Sequence, residues 1–211
     1  MPVNHNLRII FIHIPKTAGT SIEYALGMHG GLKTIGLERY INQTSDYNCL
    51  FGNGLQHLTA SQIRKVLGKK IFNDYFKFSV VRNPYDRIVS YIAWLDGKWQ
   101  NRAQLSIEKF REYIRLSQNR YKNRVKILPR PQYPFIYIRN RRIVNGLLYY
   151  EDLEKEIACL QIKLNITLNL ERRMESEHLD YRNYYDSYSI RIIRNFYKKD
   201  FENFGYDARK I

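Results

Sequence analysis

Only two cysteines, Cys49 and Cys159, occur in the 211 residues, which excludes a disulfide framework and a cysteine-based metal site. Both thiols are therefore expected to be buried and reduced, as in a cytoplasmic protein. No apolar run approaches the roughly 20 residues that cross a bilayer, and the polar start Met1–Asn6 has no signal-peptide pattern. A soluble protein without a transmembrane segment is the expectation. Linker composition, low-complexity tracts and internal repeats are also missing, so residues 1–211 read as a single domain with one sizeable core. Acidic residues are the scarce sign: 20 Asp and Glu stand against 35 Lys and Arg, a formal charge of +15. Such a field draws in polyanions, and nucleic acid, an anionic glycan and a highly charged nucleotide all satisfy it. The basic stretches Arg139–Arg142 and Arg172–Arg173 fit an acceptor groove or solvated loop charge equally well.

What is present is a pattern of strands alternating with helices. Leu7–His13 is short, rich in Ile and Phe and not alternating, as suits a strand covered on both faces. A helix beginning near Thr20 should fail at Gly27 or Gly30–Gly31. Residues 30–55 are rich in Gly and Asn without clear period and predict an irregular excursion. Thr59 with Gln62 forms a capping box for a helix expected to end at Gly68, with His57 just outside its start. Tyr75–Val81 reads as a second buried strand, followed by a helix that opens at Pro84. Further helices are expected over Ser106–Leu116, Asp152–Ile162 and Ser187–Lys199. An extended passage through Phe135–Ile138 and a strand over Ile143–Tyr149 complete the reading. This alternation predicts an α/β fold with a parallel sheet and a ligand at the carboxyl ends of its strands.

Both strand ends carry phosphate-handling residue types. The first strand runs into Pro15-Lys16-Thr17-Ala18-Gly19-Thr20-Ser21, a short loop with glycine, hydroxyls and a lysine that opens a helix. The second runs into Arg82-Asn83-Pro84-Tyr85-Asp86-Arg87-Ile88-Val89-Ser90, again a loop opening a helix. Two anion sockets suit a ligand with phosphate at both ends.

Taken together, the pair resembles the sulfotransferases, enzymes that use 3′-phosphoadenosine 5′-phosphosulfate (PAPS). The resemblance is good over about residues 7–95 and looser beyond, through Tyr150–Leu153 and Asp200–Tyr206. RNPYDR at 82–87 resembles the carbohydrate branch of that family, the heparan, chondroitin and bacterial type. It implies a P-loop-like fold with a central parallel sheet flanked by helices, PAPS as co-substrate without metal, and a saccharide or glycolipid acceptor. No specific nucleic acid is implied. Because the chain is short for this branch, a second copy in a homo-oligomer is one way to complete the acceptor side.

The resemblance assigns Lys16, Thr17, Ala18, Gly19, Thr20 and Ser21 to the 5′-phosphosulfate, and Arg82 with Ser90 to the 3′-phosphate. Lys16 is the residue that would meet charge growing on the leaving oxygen. A planar guanidinium at Arg82 suits a phosphate monoester, and a hydroxyl at Ser90 leans toward the helix N-terminus. Capping by Thr20 and back-bonding by Ser90 are the purely structural alternatives. Arg87 and Asp86 are expected to form a structural pair or to serve as helix-end charges rather than ligand contacts. For the base, His57 in Gln56–Ala60 resembles the segment that supplies it in the carbohydrate branch, with Glu23 or Asp46 as carboxylate substitutes. His13 is expected to pack and make one hydrogen bond. Gln132 resembles a position near the donor, and Arg172, Arg173 and Arg182 are candidates to close over the nucleotide.

Two other classes remain open at this point. A P-loop kinase would place its lysine directly after glycine, whereas Lys16 precedes Gly19 by three positions. A nucleic-acid-binding module is permitted by the charge, but no helix-turn-helix, zinc-finger or RNP pattern occurs.

Overall fold

The computed structural model describes residues 3–28, 56–100, 104–118, 127–171 and 178–211. In chain order these form β1 (Val3–Asn4), β2 (Ile9–Phe11), α1 (Gly19–Ala25), α2 (Ala60–Asp74), β3 (Phe76–Val81), α3 (Pro84–Gln100) and α4 (Ile107–Ser117). They continue with α5 (Tyr133–Ile136), β4 (Tyr137–Ile138), β5 (Arg141–Arg142), β6 (Gly146–Tyr149), α6 (Leu153–Leu164), α7 (Ser187–Phe196) and α8 (Lys198–Phe204). The expected excursion over 30–55, with Asp46 and Cys49, and the Arg172–Arg173 pair lie outside the described residues. The chain divides into two units, residues 1–81 with 134–173 and residues 82–133 with 174–211.

The first unit holds a mixed α/β layer structure. Its sheet has the order β1-β2-β3-β6, with β2, β3 and β6 parallel and only the edge strand β1 antiparallel. Register pairs Phe11 with Phe78 and Val80 with Leu148. Alternate residues therefore share a face. Ile9, Phe11, Phe78, Val80 and Leu148 meet Ile22 of α1, Leu26 just after it, and Ile157 and Leu160 of α6 in one buried cluster. Lys77 is also buried. Its ammonium donates to the carbonyls of Phe72 (2.8 Å), Asn73 (3.3 Å) and Tyr75 (2.6 Å), which closes the end of α2.

The capping box at Thr59 and Gln62 is present, and the break expected at Gly68 is found there, while other local expectations change. Gly68, at φ 79° and ψ 157°, is non-helical and ends the first helical stretch of α2; a second stretch runs on to Asp74, with Phe72 in the core and Lys77 on its last carbonyls. Between β4 and β5, Arg139 and Asn140 both take left-handed φ, 50° and 62°, and make a tight hairpin that sequence reading did not include. Cys159 is exposed on α6, against the expectation of burial: it faces away from the side that Ile157 and Leu160 bury.

The second unit is helical and held by aromatic side chains. Phe110 of α4 packs edge-on to Tyr184 and Tyr185 at 5.4 and 5.0 Å between ring centres, and Tyr85 of α3 meets Tyr185 and Phe201 at 5.0 Å. Buried phenols donate to backbone oxygen, Tyr85 to Ala208 (2.7 Å), Tyr184 to Leu105 (3.0 Å), Tyr185 to Tyr85 (2.8 Å) and Tyr197 to Pro129 (2.6 Å). Ring area and hydroxyl thus serve together. The single helix expected over Ser187–Lys199 is split at Tyr197, whose φ of −103° and ψ of 21° are non-helical and whose side chain is committed to Pro129. The residues after Pro131 do not run straight into an extended segment: Asp200 accepts from the N–H groups of Gln132 and Tyr133, both at 2.7 Å, and starts the turn α5 instead. No helix among the described residues is long and apolar enough to cross a membrane.

Candidate functional site

The loop after β2 is shaped by two non-glycine residues in left-handed conformation, Lys16 at φ 67° and Ala18 at φ 62°. Each costs on the order of 1 kcal/mol relative to ordinary backbone, a strain of the kind concentrated at ligand-holding turns. The hydroxyl of Thr17 is turned inward and donates to Ile14 O at 2.9 Å, so this side chain braces the turn. Helix α1 starts at Gly19, not at Thr20, and its N-cap, Ala18, has no side-chain oxygen to cap it. Thr20 and Ser21 therefore lie inside the first turn, and capping is not the role of Thr20. Lys16 is half-buried at the bend.

Beneath this loop lies an array that the sequence shows only in fragments. His13 is 3% exposed and Glu23 5% exposed, and His13 Nδ1 lies 2.8 Å from Glu23 Oε1. The other carboxylate oxygen, Oε2, accepts from Gln56 Nε2 at 2.7 Å. His57 Nδ1 lies 3.1 Å from the backbone oxygen of His13. A carbonyl only accepts, so His57 carries its proton on Nδ1 and, when neutral, its lone pair on Nε2. The two imidazoles meet edge-on, 4.4 Å between centres at 72°. His13, expected to be a packing residue with one hydrogen bond, thus contributes ring, Nδ1–H and carbonyl to one cluster with Glu23, Gln56 and His57.

The second motif is built within the other unit. The Arg82 guanidinium clasps Asp86 with two hydrogen bonds, Nε to Oδ2 at 2.7 Å and Nη2 to Oδ1 at 2.9 Å. Asp86 therefore pairs with Arg82 rather than with Arg87, as four-residue spacing at the start of a helix allows. Arg87 is fully buried and donates from Nη2 to Arg130 O at 2.9 Å. Ser90 is buried four residues beyond Asp86 on the same helical face. The Gln132 side chain, fully buried, grips the backbone of Arg82 on both sides: Oε1 accepts from Arg82 N–H at 3.0 Å, and Nε2 donates to Arg82 O at 2.8 Å. Asp200 holds Gln132 in turn, and burial pushes its carboxyl above the usual carboxylate range. Neither clamp had a local signal, because Gln132 and Asp200 come from distant parts of the chain. Asp86 did have one, its spacing from Arg82.

Lys16 to Ser21 and His57 thus belong to one unit, Arg82 and Ser90 to the other. Arg182 is exposed and engaged with Asp180 at 2.9 Å. Among the described residues no group of three or more His, Cys, Asp or Glu is gathered as a metal ion would need.

An uncharacterized protein of Archaeoglobus fulgidus is 29% identical over 119 residues, covering 56% of this chain and 92% of that protein. No solved structure matches the chain. A family model described as the sulfotransferase family matches residues 1–207, through both units and across both phosphate-type motifs. The chain belongs to the sulfotransferase family, whose members are transferases of the sulfonate group.

Proposed function

We propose that this protein transfers the sulfonate group of PAPS to a hydroxyl of a saccharide or glycolipid, without metal, and that its two units act as one sulfotransferase domain. The observation that carries the reading is the tautomer of His57: with Nδ1–H given to the His13 carbonyl, its basic nitrogen is Nε2. A ring so oriented is what a general base for a hydroxyl requires. In this reading the loop Lys16–Ser21 holds the 5′-phosphosulfate, and Arg82 with Ser90 holds the 3′-phosphate. The acceptor oxygen forms a bond to sulfur as the bond from sulfur to the bridging phosphate oxygen breaks. The acceptor proton passes to His57 Nε2, and the ammonium of Lys16 meets the charge left on the phosphate. Placement and charge stabilisation supply most of the rate, as in phosphoryl transfer.

Transfer of radiolabelled sulfonate from PAPS to a panel of glycans, glycolipids and tyrosine peptides tests the acceptor class. Label in glycans or glycolipids supports it; label in tyrosine peptides alone overturns it. His57→Ala and Lys16→Ala should each lower turnover by two or more orders of magnitude, in line with loss of one proton-transfer or charge-stabilising group. Full turnover in His57→Ala removes the base assignment. Calorimetry with PAP, the desulfated product, should show binding without metal. Preference for ATP with Mg²⁺, or for an oligonucleotide, would return the chain to the kinase or nucleic-acid readings.

A further inference from the structure

We propose that Glu23 is a positioning carboxylate for the catalytic base: through Gln56 on one oxygen and His13 on the other, it fixes the ring plane and tautomer of His57. The inference rests on the reading of His57 as base. Three connections carry it. The carboxylate is shared between His13 Nδ1 (2.8 Å) and Gln56 Nε2 (2.7 Å), so Glu23 ties β2's extension to the residue preceding His57. The same His13 whose ring Glu23 orients lends its backbone oxygen to His57 Nδ1 at 3.1 Å. Its ring also meets that of His57 edge-on, which restricts rotation of the second imidazole.

Structural need alone does not account for the array. A buried carboxylate paired with an imidazole gives little stability over apolar side chains of the same volume, since both groups must leave water. Here the pair sits directly under the strained phosphate-type loop, and room for it is made at the loop's own glycine: a side chain at Gly19 would overlap the His13 ring, with Cγ 2.6 Å away. An ionisable pair retained at such a place, linked to a base through two separate routes, is the arrangement by which a third group orients a base that acts on substrate. Glu23 itself touches no reacting atom in this scheme. The acceptor proton goes to Nε2 of His57, and the Nδ1–H of that ring remains on the His13 carbonyl.

The test compares Glu23→Gln, which leaves one acceptor oxygen for His13 and meets Gln56 once that amide turns its oxygen inward, Glu23→Ala, which removes both arms, and Gln56→Ala, which removes one arm. Nitrogen-15 NMR of the imidazoles, on the full chain without substrate, reads the tautomer directly. Wild type should show His57 in the single Nδ1–H form. Glu23→Ala should show a mixture of the two neutral tautomers, and Glu23→Gln should restore the single form. In transfer assays kcat should fall about ten- to a hundredfold in Glu23→Ala and less in Glu23→Gln and Gln56→Ala, with KM for PAPS within about threefold of wild type. A single unchanged tautomer with kcat within twofold of wild type in Glu23→Ala overturns the proposal. Should that variant fail to fold, an unchanged tautomer with kcat within twofold of wild type in Gln56→Ala overturns it equally. Failure of the base assignment is seen separately, in the turnover of His57→Ala, and leaves the tautomer result standing.

Discussion

The imidazole of His13 fills the space into which a side chain at Gly19 would project, so the first helical residue after the phosphate-type loop is a glycine for reasons of volume. Replacing a helical glycine by alanine ordinarily stabilises by roughly 0.5–1 kcal/mol. At this position the collision with a ring held by Glu23 should win. Gly19→Ala is expected to lose about 1–3 kcal/mol, as overpacked cores do, and to lower the thermal midpoint by several degrees. A Gly19→Ala protein as stable as wild type in calorimetry would contradict the packing of His13 against the loop.

Arg82 enters the fold with its guanidinium already oriented by Asp86. Under the proposed function, Arg82→Ala should weaken PAP binding more than tenfold by calorimetry, with a smaller effect on kcat at saturating PAPS. Arg82→Lys should recover little of this, because a single ammonium cannot reproduce two parallel bonds to Asp86 and still meet phosphate. Recovery of wild-type affinity by lysine would show that charge alone is read there.

Gln132 spans the N–H and the C=O of Arg82. Gln132→Ala takes a buried hydrogen-bond partner from each group, at a cost of about 1–3 kcal/mol for a group left without one. Urea unfolding should show a loss of that order and PAP affinity should fall with it. Unchanged stability would mean that Arg82 finds other partners without cost.

Burial holds the Tyr185 and Tyr197 phenols well above their usual value of 10.0, and both donate to backbone carbonyls, which also favours the neutral form. Above pH 10 the unfolded chain releases these protons before the native chain does, so the native state holds more protons and stability falls as pH rises. The contribution is complete below about pH 10 and is lost above it, with a slope approaching 1.4 kcal/mol per pH unit for each phenol. Tyr197→Phe should lose about 1 kcal/mol at neutral pH with its hydrogen bond and show a shallower alkaline limb. Equal alkaline slopes in the two proteins would show that Tyr197 ionises as freely folded as unfolded.

Much of the scaffold was legible in the sequence because it is written in neighbours. The unalternating runs ending at His13 and Val81 pair in parallel as β2 and β3, Thr59 and Gln62 cap α2, and Ser106 caps α4. Misreadings arose where a distant group decided the local outcome: Asp200 coils the chain after Pro131, and Tyr197 breaks the last long helix. Helix ends and turns depend on which donor or acceptor arrives from elsewhere, and short-range propensity does not contain that information.

The same division runs through the candidate site. Residue types and their order along the chain, Lys16 through Ser21 and Arg82 with Ser90, by themselves identified the family, since phosphate recognition uses short contiguous loops at strand ends. Tertiary structure alone decided that His13 and Glu23 form a buried pair beneath the first loop, which nitrogen of His57 carries its proton, and that Gln132 clamps Arg82. Ten, forty-four and fifty positions separate these partners. Hydrogen bonds over such spans exist only after the chain has closed its sheet and helices around them.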